Sequence, residues 1–159
     1  MSQTADESEK ESQPHHLPDH TRAGLGLILV ALLLALGSAC SLTKGKGIAE
    51  AAVVKFHDQF NAGQYHEIYQ QADDAFKKSA SEDEFVALLE AVHRKLGTVK
   101  QAHSSGWGTK TTLAGTIATL SYDIEFSEGK GNEQFAFHIS GDKAALYRYN
   151  VTSPLLITR

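Results

Sequence analysis

The sequence predicts an α+β domain in which three helices pack on a curved, four-stranded antiparallel sheet. Two observations indicate this class. Apolar residues recur every three to four positions between residues 48 and 96, and they alternate at every second position from residue 99 onward. Helices followed by sequential strands with short turns are typical of α+β folds. A third observation, an apolar run that ends at the only cysteine, predicts an export or membrane segment before this domain.

The apolar run divides the chain into four segments. We predict a disordered polar extension over residues 1–22, a signal segment over 23–39, a tether over 40–47 and the α+β domain over 48–159. The extension is rich in Ser, Glu and Gln, a composition that cannot bury a core. The part after Cys40 is long enough to form one domain without disulfide bonds.

Three amphipathic helices are predicted in the first half of the domain. Their apolar faces are formed by Ile48, Ala52, Val53, Phe56 and Phe60; by Tyr65, Ile68, Tyr69 and Ala72; and by Phe85, Leu88, Leu89, Val92 and Leu96. Ser81 and Glu84 form a capping-box pair before the third helix, and Gly97 closes that helix. The charged stretch 73–78 is interpreted as the connection between the second and third helices.

Four strands are predicted in the second half. The turns between them are placed at residues 106–108, 127–132 and 141–142, and Pro154 ends the last strand. In the second strand the apolar positions change from odd to even near residues 118–119, which predicts a β-bulge. Because bulges bend sheets, we expect a curved sheet.

Cys40 follows three small residues, Gly37, Ser38 and Ala39. Small side chains suit the cleft of a signal peptidase, and a single cysteine cannot form an internal disulfide. This arrangement resembles bacterial lipoprotein signals, in which the cysteine is acylated and the peptide is cut just before it. The resemblance implies lipidation of Cys40 and a membrane anchor. Three alternatives stay open: an uncleaved membrane helix, ordinary cleavage after Ala39, and a soluble core helix.

A family resemblance is carried by the segment 60–65 (FNAGQY), the helix end 95–97 (KLG) and the segment 147–155 (YRYNVTSPL). These segments resemble the nuclear transport factor 2-like, cystatin-like superfamily, and more narrowly bacterial lipoprotein domains of unknown function within it. The resemblance implies a cone in which a curved sheet wraps a helix. It carries no catalytic signature to this sequence.

Composition and motifs exclude several function classes. The domain is nearly neutral and has no basic stripe, so we expect no nucleic-acid partner. It contains no zinc-ligand spacing and no phosphate-binding loop, so we expect no metal and no cofactor. We expect the protein at the cell membrane or outer membrane, attached by its lipid and facing the periplasm or the exterior.

Five side chains are candidates for binding: Tyr65, Tyr69, His103, Trp107 and Tyr122. The three tyrosines are predicted to line a pocket mouth, and Trp107 is predicted at a loop tip between two glycines. The apolar strand faces are interpreted as free of carboxylates, which argues against the isomerase chemistry of some superfamily members. We therefore predict a non-enzymatic domain that binds a protein, a second copy of itself or a small ligand. The alternative is an enzyme or ligand carrier that uses the cone pocket.

Overall fold

The computed structural model describes residues 45–113 and 115–158. Helix α1 covers residues 45–61 and so includes part of the segment that the sequence assigned to the tether. The other elements are, in chain order, α2 (Tyr65–Gln70), α3 (Asp74–Ser79), α4 (Glu82–Leu96), β1 (Val99–Thr112), β2 (Gly115–Phe126), β3 (Gly129–Ser140), β4 (Lys143–Thr152) and α5 (Pro154–Thr158). The predicted extension, the signal segment and Cys40 lie outside the described residues.

The strands form one antiparallel sheet in the order β1-β2-β3-β4, which confirms the α+β class. The number of helices before the sheet is four rather than three. The additional helix is α3, within the stretch interpreted as a connection. Asp73 caps it by accepting a hydrogen bond from the backbone amide of Ala75 at 2.8 Å. A six-residue helix that buries only Phe76 is too short to show a periodic apolar face.

Helix α4 begins and ends where the sequence predicts. The Ser81 hydroxyl accepts a hydrogen bond from the amide of Glu84, and the Glu84 carboxylate accepts one from the amide of Ser81. Gly97 follows the last helical residue with a φ of +76°, in the left-handed region. A Cβ atom at Gly97 would lie 1.9 Å from Oγ of Ser127, so both conformation and space require glycine here.

Alternate positions of β2 point to opposite faces of the sheet. The even positions from Ala118 to Phe126 are buried in the core that the helices complete, and we call this the inner face. Odd positions such as Thr119 and Asp123 are exposed, and we call theirs the outer face. The largest fully buried side chains of the domain are Phe60, Phe135, Leu89, Leu96, Leu120, Ile124, Glu133, Val53 and Val92.

Two predictions about the first two strands are wrong. Residues 106–108 do not form a turn, because β1 continues through them to Thr112. No bulge lies at residues 118–119, because β2 pairs with β3 without a register shift along its described length. The change of parity in the sequence arises because Leu113 belongs to the turn before β2 and Ile117 is on the outer face.

The register shifts between the first two strands lie in β1, directly after Val99 and directly after Ser104. Each shift places an extra residue in β1 and reverses the facing of the residues that follow it. His103 therefore pairs with Asp123 on the outer face, although its spacing from Val99 is even. Trp107, four residues after His103, is on the inner face. The third shift lies in the pairing of β3 with β4.

Candidate functional site

Glu133 is a carboxylate in the interior of the domain. It lies on the inner face of β3, opposite Tyr122, and is only 1% exposed. The interpretation that the apolar strand faces hold no carboxylate is therefore wrong. Glu133 shares the odd spacing of Phe135 and Phe137, a signal sufficient to place it on their face. It was missed because the predicted loop over 127–132 left the first residues of β3 out of the strand.

Two side chains from other elements hold this carboxylate. Oε2 of Glu133 lies 2.6 Å from Nε2 of His57 on α1, and the Tyr149 hydroxyl on β4 donates to Oε1 at 2.6 Å. A buried carboxylate is costly unless it is paired and hydrogen-bonded, and here each oxygen has a partner. We call Glu133, His57 and Tyr149 the buried triad.

The protonation state of Tyr149 follows from its surroundings. Burial raises the pKa of the Tyr149 phenol, and the negative charge of Glu133 together with their hydrogen bond raises it further. The phenol is therefore neutral and is the donor in its hydrogen bond with Glu133.

Aromatic rings enclose the buried triad. The ring centroid of Tyr149 lies 4.9 Å from that of Phe56 and 5.3 Å from that of Phe135. Phe135 also contacts the His57 ring at 5.8 Å. Hydrogen bonds are stronger in such apolar surroundings, where water does not compete. The triad thus connects α1, β3 and β4 through the centre of the core.

The cavity beside Phe56 is small. Its volume is about 60 Å³, and it is lined by Ala52, Lys55, Phe56, Gln59, Ile68, Gln71, Phe137, Ala144 and Leu146. Pockets for drug-sized ligands enclose about 300–1,000 Å³, so this cavity has room for water but not for a substrate of that size. A general base must also reach the proton that it abstracts. Glu133 and His57 do not line this cavity, so the arrangement favours a structural role for the triad.

A larger depression lies at the outer face, and we call it the outer groove. Its volume is about 510 Å³, and it is lined by His103, Asp123, Ile124, Glu125, Lys130, Gly131, Asn132 and Pro154. Lys130 donates to Oε1 of Glu125 at 2.7 Å, and the Asn132 amide donates to Asp123. The hydrogen bond from Lys130, and then its positive charge, lower the pKa of the Glu125 carboxyl. The outer groove therefore presents both signs of charge within a few ångströms.

The structure does not bring the five predicted binding residues together, and the three tyrosines belong to the packing of the domain. Tyr65 is buried, with its hydroxyl 2.5 Å from Nδ1 of His93. Tyr69 is half-buried and donates to the carbonyl of Ala80 at 2.9 Å. Tyr122 is buried on the inner face.

The two other predicted residues are exposed on different faces. His103 lines the outer groove. Trp107 is 50% exposed, and Nζ of Lys46, near the start of α1, lies 5.9 Å from the centre of its ring. Of the five, His103 and Trp107 are therefore the side chains that a partner could contact directly.

A second histidine–carboxylate contact joins β3 to the start of α3. Nδ1 of His138, a residue that alternation assigned to the polar face, lies 3.0 Å from Oδ2 of Asp73. Burial by itself raises the pKa of the Asp73 carboxyl. The hydrogen bond from the amide of Ala75 and the contact with His138 outweigh burial, so the net shift is downward.

Searches for recognisable sites and relatives give three findings. Within residues 45–113 and 115–158, no group of three or more His, Cys, Asp or Glu side chains is placed to hold a metal ion. In the same part of the chain, no helix combines the length and the apolarity needed to cross a bilayer. No protein-family model matches the chain, and a search of curated proteins found no match.

Proposed function

We propose that this chain is a cell-envelope lipoprotein whose exported domain binds another protein through the outer groove and has no catalytic activity of its own. The observation that carries the proposal is the contrast between two volumes. The interior cavity measures about 60 Å³, whereas the outer groove measures about 510 Å³ and lies at the surface. Because the interior has no room for a ligand of ordinary size, recognition belongs to the exterior.

The fold within this proposal is a cystatin-like cone. Its support is that α1 reaches both edge strands of the sheet. Asn61 makes two hydrogen bonds to the backbone of Val99 on β1, and the Phe56 ring contacts Tyr149 on β4. Four strands in a flat sheet span about 14 Å between their outer axes, more than one helix covers. A sheet that curves around α1 allows both contacts.

The anchor within this proposal is a lipid on Cys40, and its support is the sequence alone. An apolar run ends in Gly37, Ser38 and Ala39 directly before the cysteine. The test is the intact mass of protein extracted from membranes. We expect a chain that begins at Cys40 and carries acyl mass. An unmodified chain that begins at Met1 would eliminate the anchor.

Binding through the outer groove is tested by photocrosslinking in intact cells. A p-benzoylphenylalanine residue at position 103 should form a protein adduct, whereas the same residue at position 54 should not. Val54 is a suitable control because it is 60% exposed on α1 and does not line the outer groove. Lys130→Glu reverses a charge in the groove and should abolish the adduct at position 103. An adduct of twice the chain mass would identify the partner as a second copy.

Equal crosslinking at positions 103 and 54, or an adduct that Lys130→Glu leaves unchanged, would contradict binding at this groove.

The second candidate function is a ligand carrier or enzyme that uses the interior. One observation favours it: the ionisable carboxylate of Glu133 lies inside the domain beside the aromatic core. Its test is native mass spectrometry of the protein purified from membranes. A small molecule retained by the wild type and lost in Ala144→Leu, which fills the interior cavity, would support this candidate.

A further inference from the structure

We infer that one end of the sheet lies against an anionic lipid surface. This end carries the turn between β1 and β2 and the turn between β3 and β4. We call it the turn end, and its defining side chains are Lys110, Leu113 and Lys143. The inference rests on the proposed lipid at Cys40 and adds to it the orientation of the domain on the membrane.

Both turns lie at the same end and at the same level of the sheet. Thr116, one residue into β2, pairs with Ile139 near the end of β3, and Ile139 pairs with Ala144 near the start of β4. The three residues form one row across the sheet. The turns just beyond this row are therefore neighbours, and a flat surface can contact both at once.

Helix α1 begins close to this end. Ile48 and Ala51 line a groove of about 560 Å³ together with residues 142–145 of the turn between β3 and β4. Lys46 reaches the ring of Trp107 on β1. The last residue of α1, Asn61, lies at the opposite end of the sheet, where it binds Val99. The chain therefore enters the domain at the turn end.

The length of the tether holds the turn end near the lipid. Five Cα–Cα steps separate Cys40 from Gly45, and they span at most about 18 Å when fully extended. The opposite end of the sheet, at Phe126, lies about 36 Å along β2 from Gly115. An acylated Cys40 therefore places the turn end, and not the opposite end, within reach of the bilayer surface.

The chemistry of the turn end fits anionic lipid. Leu113 is fully exposed at the tip of the hairpin between β1 and β2, and Lys110 and Lys143 are exposed beside the two turns. Lys44 in the tether adds a further positive charge, and Asp142 is the acidic residue of the turn between β3 and β4. An apolar tip flanked by lysines can enter the headgroup region while the ammonium groups contact lipid phosphates.

The test uses the acylated full chain in vesicles of phosphatidylethanolamine and phosphatidylglycerol. Acylation blocks the only native thiol, so Leu113→Cys supplies a single site for an apolar NBD fluorophore. Ala62→Cys is the matched control, because Ala62 is an exposed residue beside Asn61 at the opposite end of the sheet. We expect lipids that carry a shallow nitroxide to quench the fluorophore at position 113 and to leave that at position 62 unquenched.

The charge arm uses the double substitution Lys110→Glu with Lys143→Glu. It should abolish quenching at position 113 while the protein still floats with the vesicles. Equal quenching at positions 113 and 62, or none at 113 in floating protein, would overturn the orientation but leave the anchor intact. A blue-shifted fluorophore at 113 without quenching would indicate a protein contact and would also overturn it. Loss of the anchor is recognised separately, by a protein that does not float and whose Cys40 reacts with the label.

Discussion

Nε2 of His57 and Oε2 of Glu133 lie 2.6 Å apart in the core, although 76 positions separate the two residues in the sequence. The contact joins the helix that enters the domain to a central strand of the sheet. Tyr149 occupies the second oxygen of Glu133 and brings the edge strand β4 into the same network. Because the network is enclosed by aromatic rings, its loss should affect the stability of the whole domain.

Tyr149→Phe should destabilise the protein by about 3 kcal/mol. The substitution keeps the ring but leaves Oε1 of Glu133 buried without its donor, which costs more for a charged group than for a neutral one. The measurement is urea unfolding followed by circular dichroism. Tyr147→Phe is the control, since Tyr147 is two residues earlier on β4 and 36% exposed. It should change the free energy of unfolding by less than about 0.5 kcal/mol. Equal effects of both substitutions would show that the triad is not a special source of stability.

Asp73 predicts a loss of stability in acid. Its pKa in the folded protein lies below the ordinary value of 3.8. The ionised carboxylate therefore stabilises the fold above about pH 4, and this contribution is lost as the pH falls through the folded-state pKa. Asp73→Asn keeps a residue that can cap α3 but removes the charge. The free-energy difference between wild type and variant should be largest near neutral pH and should shrink below pH 4. A difference that stays constant from neutral to acid would refute the shift.

Asn61 predicts a local effect on the free edge of β1. Its amide donates to the carbonyl of Val99 at 3.0 Å and accepts from the Val99 amide at 2.8 Å. Asn61→Ala removes both hydrogen bonds and should cost about 1–2 kcal/mol. Hydrogen exchange should accelerate at the Val99 amide. Asp58→Ala, an exposed substitution on the same helix, should leave that exchange rate unchanged; an increase in both variants would point to fraying of α1 instead.

Two glycines with similar backbone angles should respond differently to alanine. Gly63 and Gly97 have φ values of +72° and +76°, so a side chain at either position costs about 1–2 kcal/mol in backbone strain. At Gly97 the new Cβ would also collide with Ser127, whereas at Gly63 no heavy atom lies within 4 Å. Thermal unfolding should therefore show a larger loss for Gly97→Ala than for Gly63→Ala. Equal losses would mean that Ser127 moves aside without cost.

Local signals explain what the sequence predicted correctly. The capping pair of Ser81 and Glu84 and the closing Gly97 define α4 within a few residues of chain. The switch from a helical to a strand period predicts the order of helices before strands. Such signals act between neighbours along the chain, so they can be read without knowing the rest of the structure.

The site could be predicted only in part. The spacing of Glu133 from Phe135 indicates the inner face, yet nothing in the sequence indicates that His57 and Tyr149 meet it there. The facing of His103 depends on register shifts in β1, each of which reverses the parity of the strand. A pattern that is read by counting residues therefore fails at the first extra residue.

By itself, the sequence determined the α+β class, the limits of α4 and the position of Cys40 after an apolar run. The tertiary structure alone decided that Glu133 is paired on both oxygens, that Asp73 meets His138 and that His103 lies in an outer groove. The physical reason is distance along the chain. Periodicity and caps arise between residues a few positions apart, whereas buried pairs and grooves depend on how remote segments are brought together by packing.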